Sequence, residues 1–415
     1  MLPLPQWGLL PFVLLAAGAV LVQGDQTCSD KSQAITLKKS LFCGYDKTVR
    51  PVKKHTDTVT VSVKLWLKHF RFEERNNVLY LNAWTIWEWK DALLTWNPDS
   101  NSGIADLRIE SDDVWVPDVS MYSMGETGGV YHRMPSTTCY LNNDGQINCA
   151  PPTSYAAYCA PNLARWPFDT QKCLVEMGSW THGGKELYLT LDGNGIMVED
   201  EVINREWDLL HVEGKHRSFI TANDTFPYLE FTIILRRHAG CYAATVVVPA
   251  FVLAAMTILM FFLDPLSSER LSLGCMNILA HCLYMQYLGI ILPSNGDSTP
   301  LIVAFFRDSL LLLGMSLLTT VTLKVMLAAE RAPPAWISSA VDWVLETPPG
   351  RLIILNQWSS QNSAATLGAD GSETEEGSTN PLKKKPWLSS AILLDRVCLI
   401  VFTITLIVLL LAFVP

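Results

Sequence analysis

Four long apolar runs in the second half of the chain constrain its fold most. They cover about residues 242–262, 271–292, 301–325 and 392–414. Each can cross a hydrocarbon layer of ~30 Å as a helix. The leading 24 residues are also apolar and end in small residues, the pattern of a secretory signal, although they hold no Lys or Arg. Cleavage near Gly24 would make Asp25 the first residue and place the segment beyond it in an oxidising compartment. An external start and four crossings return the C-terminus outside. Arg270 then falls in a cytoplasmic link. So do Arg331, Arg351 and "LKKK" (382–385), in keeping with positive-inside bias. The stretch 359–380, rich in Ser, Gly, Thr and Glu, reads as disordered.

Before residue 240 the period changes. In "VTVSVKLWL" (59–67), Val59, Val61, Val63, Leu65 and Leu67 share one face; Thr60, Ser62, Lys64 and Trp66 share the other. "LEFTIILRR" (229–237) alternates in the same way. Such runs, separated by turn signals at Asn97-Pro98, Asp144-Gly145 and Asp192-Gly193, predict a β-sandwich. Residues 32–43 predict one short helix ahead of it. The fold class expected is an α+β membrane protein: an Ig-like extracellular sandwich followed by a four-helix transmembrane bundle. The expected divisions are 1–24 signal, 25–240 extracellular, 241–325 for three spans, 326–390 cytoplasmic loop and 391–415 for the fourth.

The ten cysteines divide along the same line. Cys28, Cys43, Cys139, Cys149, Cys159 and Cys173 precede the membrane half. Cys241, Cys275, Cys282 and Cys398 lie in apolar runs and read as free thiols. Six cysteines permit fifteen pairings; local spacing favours 28–43, 139–149 and 159–173. For the second pair, a turn at Asn143-Asp144-Gly145 sets Leu141 opposite Ile147 and Cys139 opposite Cys149.

The second apolar run is the least uniformly greasy. Glu269, Ser272, Met276, Leu279, Leu283, Gln286 and Ile290 recur at steps of three and four, so they share one helical face. That pattern fits a packed helix interface and a pore lining equally. Asn277, His281 and Cys282 fall on other faces, where packing against neighbouring helices is expected. A formal charge of −9 with no basic stripe gives no sign of nucleic-acid binding. The chain has no H-E-x-x-H, G-x-S-x-G or phosphate-binding glycine loop, so nothing points to an enzyme or a cofactor. His132, His182, His211 and His216 lack metal-ligand spacing.

Several stretches in order resemble the pentameric Cys-loop ligand-gated channels, nicotinic acetylcholine receptor subunits above all. They are "VRPV" (49–52), "NAWTIWEWKD" with "TWNP" (82–98), "WVPDVSMY" (115–122), "GSWTHGG" (178–184), "EWDL" (206–209), "SERLSLG" (268–274) and "LLDRVCLIVFTI" (393–404). The most specific is "CAPNLARWPFDTQKC" (159–173), thirteen residues between two cysteines. The resemblance implies that this loop hangs from the ectodomain onto the membrane domain and transmits ligand binding to the gate. Closing such a loop stabilises by roughly 3 kcal/mol on the entropic model, and a stiff tip can push.

From the resemblance, Pro167, Phe168 and Asp169 belong to that tip, Glu74 and Arg237 form a charge pair at the junction, and "SNGDSTP" (294–300) is the surface the tip meets. Tyr122 and Trp180 would wall the principal face of an aromatic box for acetylcholine or a related amine, and Trp84 the complementary face. Trp89, Trp96 and Trp115 are expected in the core. Ligand-defining alpha subunits carry two adjacent cysteines where this chain has Thr221-Ala222. Phe219 and Phe226 stand where that loop has tyrosines. The chain thus resembles a non-alpha, beta-type subunit. Cys149 falls in the complementary hairpin, where the 139–149 bridge would reshape the wall. Asn223 begins a glycosylation sequon on the loop.

On the same resemblance the seven-residue face lines the pore. Glu269 would attract cations at the inner mouth, and Ser267-Ser268 replaces the Pro-Ala of anion-selective relatives. Leu279 would be the hydrophobic gate. Met276 and Ile290 stand where the family has a small polar and an acidic residue, so they are expected to lower conductance or calcium entry. The expected protein is an accessory or complementary-face subunit of a plasma-membrane, synaptic, acetylcholine-type channel. Its partners would be other nicotinic-type subunits in a homo- or hetero-pentamer, the bilayer, and permeant Na, K and Ca ions. The alternatives are a non-conducting assembly or modulatory subunit and a channel gated by another ligand.

Overall fold

The computed structural model describes residues 32–125, 134–199, 204–221, 224–293, 299–347 and 387–413. The proposed signal, Cys28, His132, Asn223 and the stretch 359–380 lie outside them.

Helix α1 (Gln33–Leu41) buries Leu37 against the sandwich, and Lys38 pairs with Asp113 at 3.0 Å. The strands are β1 (Val59–Glu73), β2 (Val78–Lys90), β3 (Asp106–Glu110), β4 (Val119–Met121), β5 (Thr138–Asn142), β6 (Gln146–Cys149), β7 (Pro152–Tyr158), β8 (Thr170–Ser179), β9 (Leu187–Val198), β10 (Trp207–Thr221) and β11 (Asp224–Arg237). They form one sheet in the order β3-β5-β6-β2-β1-β9, with β7 also pairing β2, and a second in the order β10-β11-β8-β4.

The period-two pattern explains the layering. Val61, Val63, Leu65 and Leu67 of β1 and Leu229, Phe231, Ile233 and Leu235 of β11 are all essentially fully buried in the common core. Trp89 meets Trp115 edge-on at 6.3 Å within it, and Trp96 donates its indole N–H to the Ile104 carbonyl at 2.6 Å. Two of the three disulfides expected from local spacing are present, Cys139–Cys149 and Cys159–Cys173; the third, Cys28–Cys43, involves a residue outside the described ones. The first closes the expected hairpin, with Leu141 opposite Ile147. Its turn needs Gly145, whose φ of 87° is a left-handed value that glycine adopts without steric cost. Cys43 is exposed.

Among the described residues, four helices are long and apolar enough to cross a membrane: α2 (Gly240–Phe262), α3 (Ser268–Ile291), α4 (Leu301–Ala328) and α6 (Leu388–Phe413). Between the last two lies α5 (Ala335–Glu346), a helix within the expected cytoplasmic loop.

Candidate functional site

The ectodomain, the junction and α3 each carry part of the site. The ectodomain part begins with Asp118, from "WVPD". Its carboxylate accepts hydrogen bonds from Ser179 Oγ (2.6 Å), Thr181 N (2.8 Å) and Thr181 Oγ1 (2.6 Å), and lies 3.0 Å from His182 Nδ1. Burial alone pushes this carboxyl up, yet the donors of His182, Ser179 and Thr181 hold it well below the usual range. The Asp118 hydrogen bond raises the His182 imidazole in turn. Two distant motifs are thereby locked together, and the loop carrying Trp180 is fixed with its ring 63% exposed.

Around Trp180 an aromatic group assembles. Tyr122 lies 6.5 Å from Trp180, 6.2 Å from Phe219 and 6.3 Å from Tyr228, between ring centroids. Phe219 stacks on Phe226 at 5.4 Å and an angle of 10°. An open groove of about 630 Å³ lies along Tyr122, Trp180, Phe219 and Phe226. Tyr122 donates its hydroxyl to the Ser179 carbonyl at 2.6 Å, and burial pushes its phenol up to about 12. Gly178 makes this approach possible: a Cβ there would collide with the Tyr122 hydroxyl. Tyr228 joins the group although no sequence motif singles it out. Inward Leu229 and Phe231 place it on the outward face of β11, which is the signal that could have found it.

Trp84 stands apart on the other sheet, 44% exposed. It pairs across the strands with Trp66 of β1, ring centroids 5.3 Å apart and nearly perpendicular. Lys68 lies over both rings. The Cys139–Cys149 hairpin abuts the same strand, with Cys149 opposite Trp87.

At the junction the expected charge pair exists and has a third member. Arg237 reaches Glu74 Oε1 at 2.7 Å through Nη1. It also grips Asp169 through Nε to Oδ1 (2.7 Å) and Nη2 to Oδ2 (2.9 Å). Its guanidinium lies 4.3 Å over the Trp207 ring, from "EWDL". Within the tip, Trp166 and Pro167 are buried, and Leu163 and Trp166 pack into the membrane core. Trp166 lies 5.0 Å from Tyr242, and Ala164 accepts the Leu301 amide at 3.0 Å. Phe168 is 44% exposed. The residue that docks the tip is therefore Trp166, beside the Pro167, Phe168 and Asp169 assigned to coupling from the resemblance. Of the linker 294–300, residues 294–298 lie outside the described residues.

In α3 the seven-residue face is exposed throughout: Glu269, Ser272, Met276, Leu279, Leu283, Gln286 and Ile290. The opposite face is anchored by polar side chains. Arg270 meets Asp395 of α6 at 2.7 Å, Thr320 of α4 at 3.1 Å and the Leu263 carbonyl, just past α2, at 3.4 Å. Asn277 donates to the Leu253 carbonyl and to Thr257 of α2, and His281 Nε2 lies 3.1 Å from Ser309 of α4. Asn277 and His281 thus pack as expected. Cys282 does not: it is exposed, as is Cys275 one heptad earlier. Among the described residues no cluster of His, Cys, Asp or Glu could hold a metal.

Comparison with known proteins gives a consistent picture. Residues 34–239 match the family model described as the neurotransmitter-gated ion-channel ligand binding domain. The chain is 31% identical over 337 residues to the human neuronal acetylcholine receptor subunit alpha-10, covering 79% of this chain and 72% of that one. It is 30% identical over 314 residues to subunit non-alpha-3 of Carassius auratus, covering 75% and 67%. It is 29% identical over 286 residues to subunit beta-3 of Gallus gallus, covering 69% and 62%.

Proposed function

The chain belongs to the neurotransmitter-gated ion-channel family, alongside the nicotinic acetylcholine receptor subunits, and we propose that it serves as an accessory subunit of an acetylcholine-gated cation channel. The observation that carries this is the α3 face. Seven residues in helical register stay exposed, while Arg270, Asn277 and His281 on the opposite side tie the helix to its neighbours by hydrogen bonds. Polar groups at membrane depth face water or a bundle interior. In a pentamer this face lines the pore, with Glu269 at the inner mouth and Leu279 as the constriction.

The aromatic group around Trp180 supplies the principal side of an amine site. Electron-rich ring faces attract an ammonium by about 0.5–2 kcal/mol each. Trp84 belongs to the complementary side. Glu74, Asp169 and Arg237 couple the ectodomain to the pore helices, with Pro167 and Phe168 at the tip. The setting is the plasma membrane of a synapse, both termini outside, with Na, K and Ca as permeant ions. Asn223 would carry a glycan, and Cys28 would pair with Cys43.

Whole-cell current to acetylcholine in oocytes tests this reading, with the chain alone and with an alpha-type partner. The expected result is current only with the partner, with a reversal potential shifted by Glu269→Lys. A second reading, a non-conducting assembly subunit, is favoured by Thr221-Ala222 where alpha subunits pair cysteines. It predicts surface expression with an unshifted reversal potential.

A further inference from the structure

The complementary wall already holds a cation. Lys68 Nζ lies 3.6 Å from the Trp66 ring centroid and 4.2 Å from that of Trp84. The two rings stand at 81°, so they form a corner with the ammonium in it. Three features put it there. The β1–β2 register shifts between Leu67 and His69, a bulge that turns both Lys68 and His69 outward between buried Leu67 and Phe70. Trp66 faces Trp84 directly across the strands. Glu199, just past β9, pairs with the Lys68 ammonium, and its backbone amide is fixed to the Leu67 carbonyl at 3.2 Å.

We propose that Lys68 is a tethered cation that closes the Trp66–Trp84 corner, so that the complementary face of this chain rejects cationic ligands. This rests on the channel-subunit reading and narrows it. A quaternary ammonium carried on a neighbour's principal face needs the electron-rich face of Trp84. Here an ammonium already lies 4.2 Å from the centre of that ring, and a second positive charge on it would arrive within a few ångströms of the first. Glu199 holds Lys68 in place and balances its charge, so the corner needs no exogenous cation. The chain then contributes amine recognition through Tyr122, Trp180, Phe219 and Tyr228, or not at all. Lys68 is a specificity-determining residue, and Glu199 is its positioning residue.

Two measurements test this on the full-length chain. In the first, the protein alone in detergent micelles carries 5-fluorotryptophan, and the Trp84 resonance, assigned with Trp84→Phe, is followed by fluorine NMR during titration with tetramethylammonium. Lys68→Gln should give a saturable shift at about tenfold lower concentration than wild type, a factor equivalent to about 1.4 kcal/mol. Lys68→Arg should behave as wild type, and Glu199→Gln should fall between. Unchanged core-tryptophan resonances show that each variant folds. An equal Trp84 response in wild type and Lys68→Gln overturns the proposal.

In the second, mixed pentamers with an alpha-type subunit are purified and acetylcholine sites are counted. Lys68→Gln should add a site for each copy of this chain; an unchanged count overturns the proposal. If no mixed pentamers form while the Trp84 difference holds, the channel-subunit reading fails and the closed corner stands.

Discussion

Arg237 and Asp169 are joined by two parallel hydrogen bonds at 2.7 and 2.9 Å in a site where both side chains are nearly inaccessible to water. The arginine ends β11 at the first membrane helix, and the aspartate sits in the disulfide-closed loop. Their bond therefore joins the two parts of the ectodomain that meet the membrane domain. Such forked, charge-assisted pairs are strong and orientation-specific.

Removing Asp169 takes both fork bonds from a buried Arg237 and leaves it Glu74 as its one carboxylate partner. Asp169→Asn is expected to destabilise the chain by less than the roughly 3–5 kcal/mol of a buried charge left wholly unpaired, read as loss of surface protein or a lower Tm. Arg237→Lys keeps the charge but loses the fork, so it should reduce agonist-evoked current more than it reduces surface expression. Equal losses of current and surface protein would show that the pair is structural only.

The second buried ion pair lies in the membrane domain. Asp395→Asn leaves Arg270 fully enclosed and without its carboxylate. Assembly measured by surface labelling should fall severely. The double variant Arg270→Met/Asp395→Leu should recover much of the loss, because apolar replacements carry no desolvation cost.

The Asp118–His182 contact makes the stability of the Trp180 loop sensitive to pH. The Asp118 carboxyl is depressed from 3.8, so its contribution is present above that value and is lost as pH falls through the lowered folded value. The His182 imidazole is raised from 6.5, so its contribution is complete below 6.5 and disappears as pH rises through the raised folded value. Between these limits both act. Thermal unfolding should show a Tm that declines as pH rises above 6.5, and His182→Gln should flatten that decline.

Ile290 is exposed at the far end of the α3 face proposed to line the pore, where an acidic group would concentrate cations. Ile290→Glu should raise single-channel conductance or calcium permeability in mixed pentamers. An unchanged unitary current would remove Ile290 from the pore lining.

The sequence is most legible where one period runs without interruption. The alternation of β1 and the three-and-four spacing along α3 read correctly because each follows from local geometry. The Cys139–Cys149 hairpin is legible for the same reason, its register being set by a short turn. Lys68 is not, because the bulge that turns it outward depends on how β1 pairs with β2. Its position over two rings also needs Glu199, more than a hundred residues away. The sequence offers two rings in the tip, Trp166 and Phe168, and does not say which one docks, because that depends on burial against the membrane helices, where Trp166 is enclosed and Phe168 is not. In the same way the sequence pairs Arg237 with Glu74 alone, since nothing local brings Asp169 to it.

Arg270 has one further consequence. Through its side chain the lower end of α3 touches α4, α6 and the segment after α2, which makes that end a fulcrum. The upper end is held to the ectodomain, where Arg75 donates to the Ile290 carbonyl at 2.5 Å. At 1.5 Å per residue, Leu279 lies about 13 Å above the fulcrum and Ile290 about 30 Å above it. Were the helix to tilt rigidly about Arg270, a sideways displacement at Ile290 would reach Leu279 at a little under half its size. The hydrogen bonds of Asn277 and His281, two residues either side of Leu279, oppose even that tilt, so an ångström of movement at Leu279 would require more than two at Ile290.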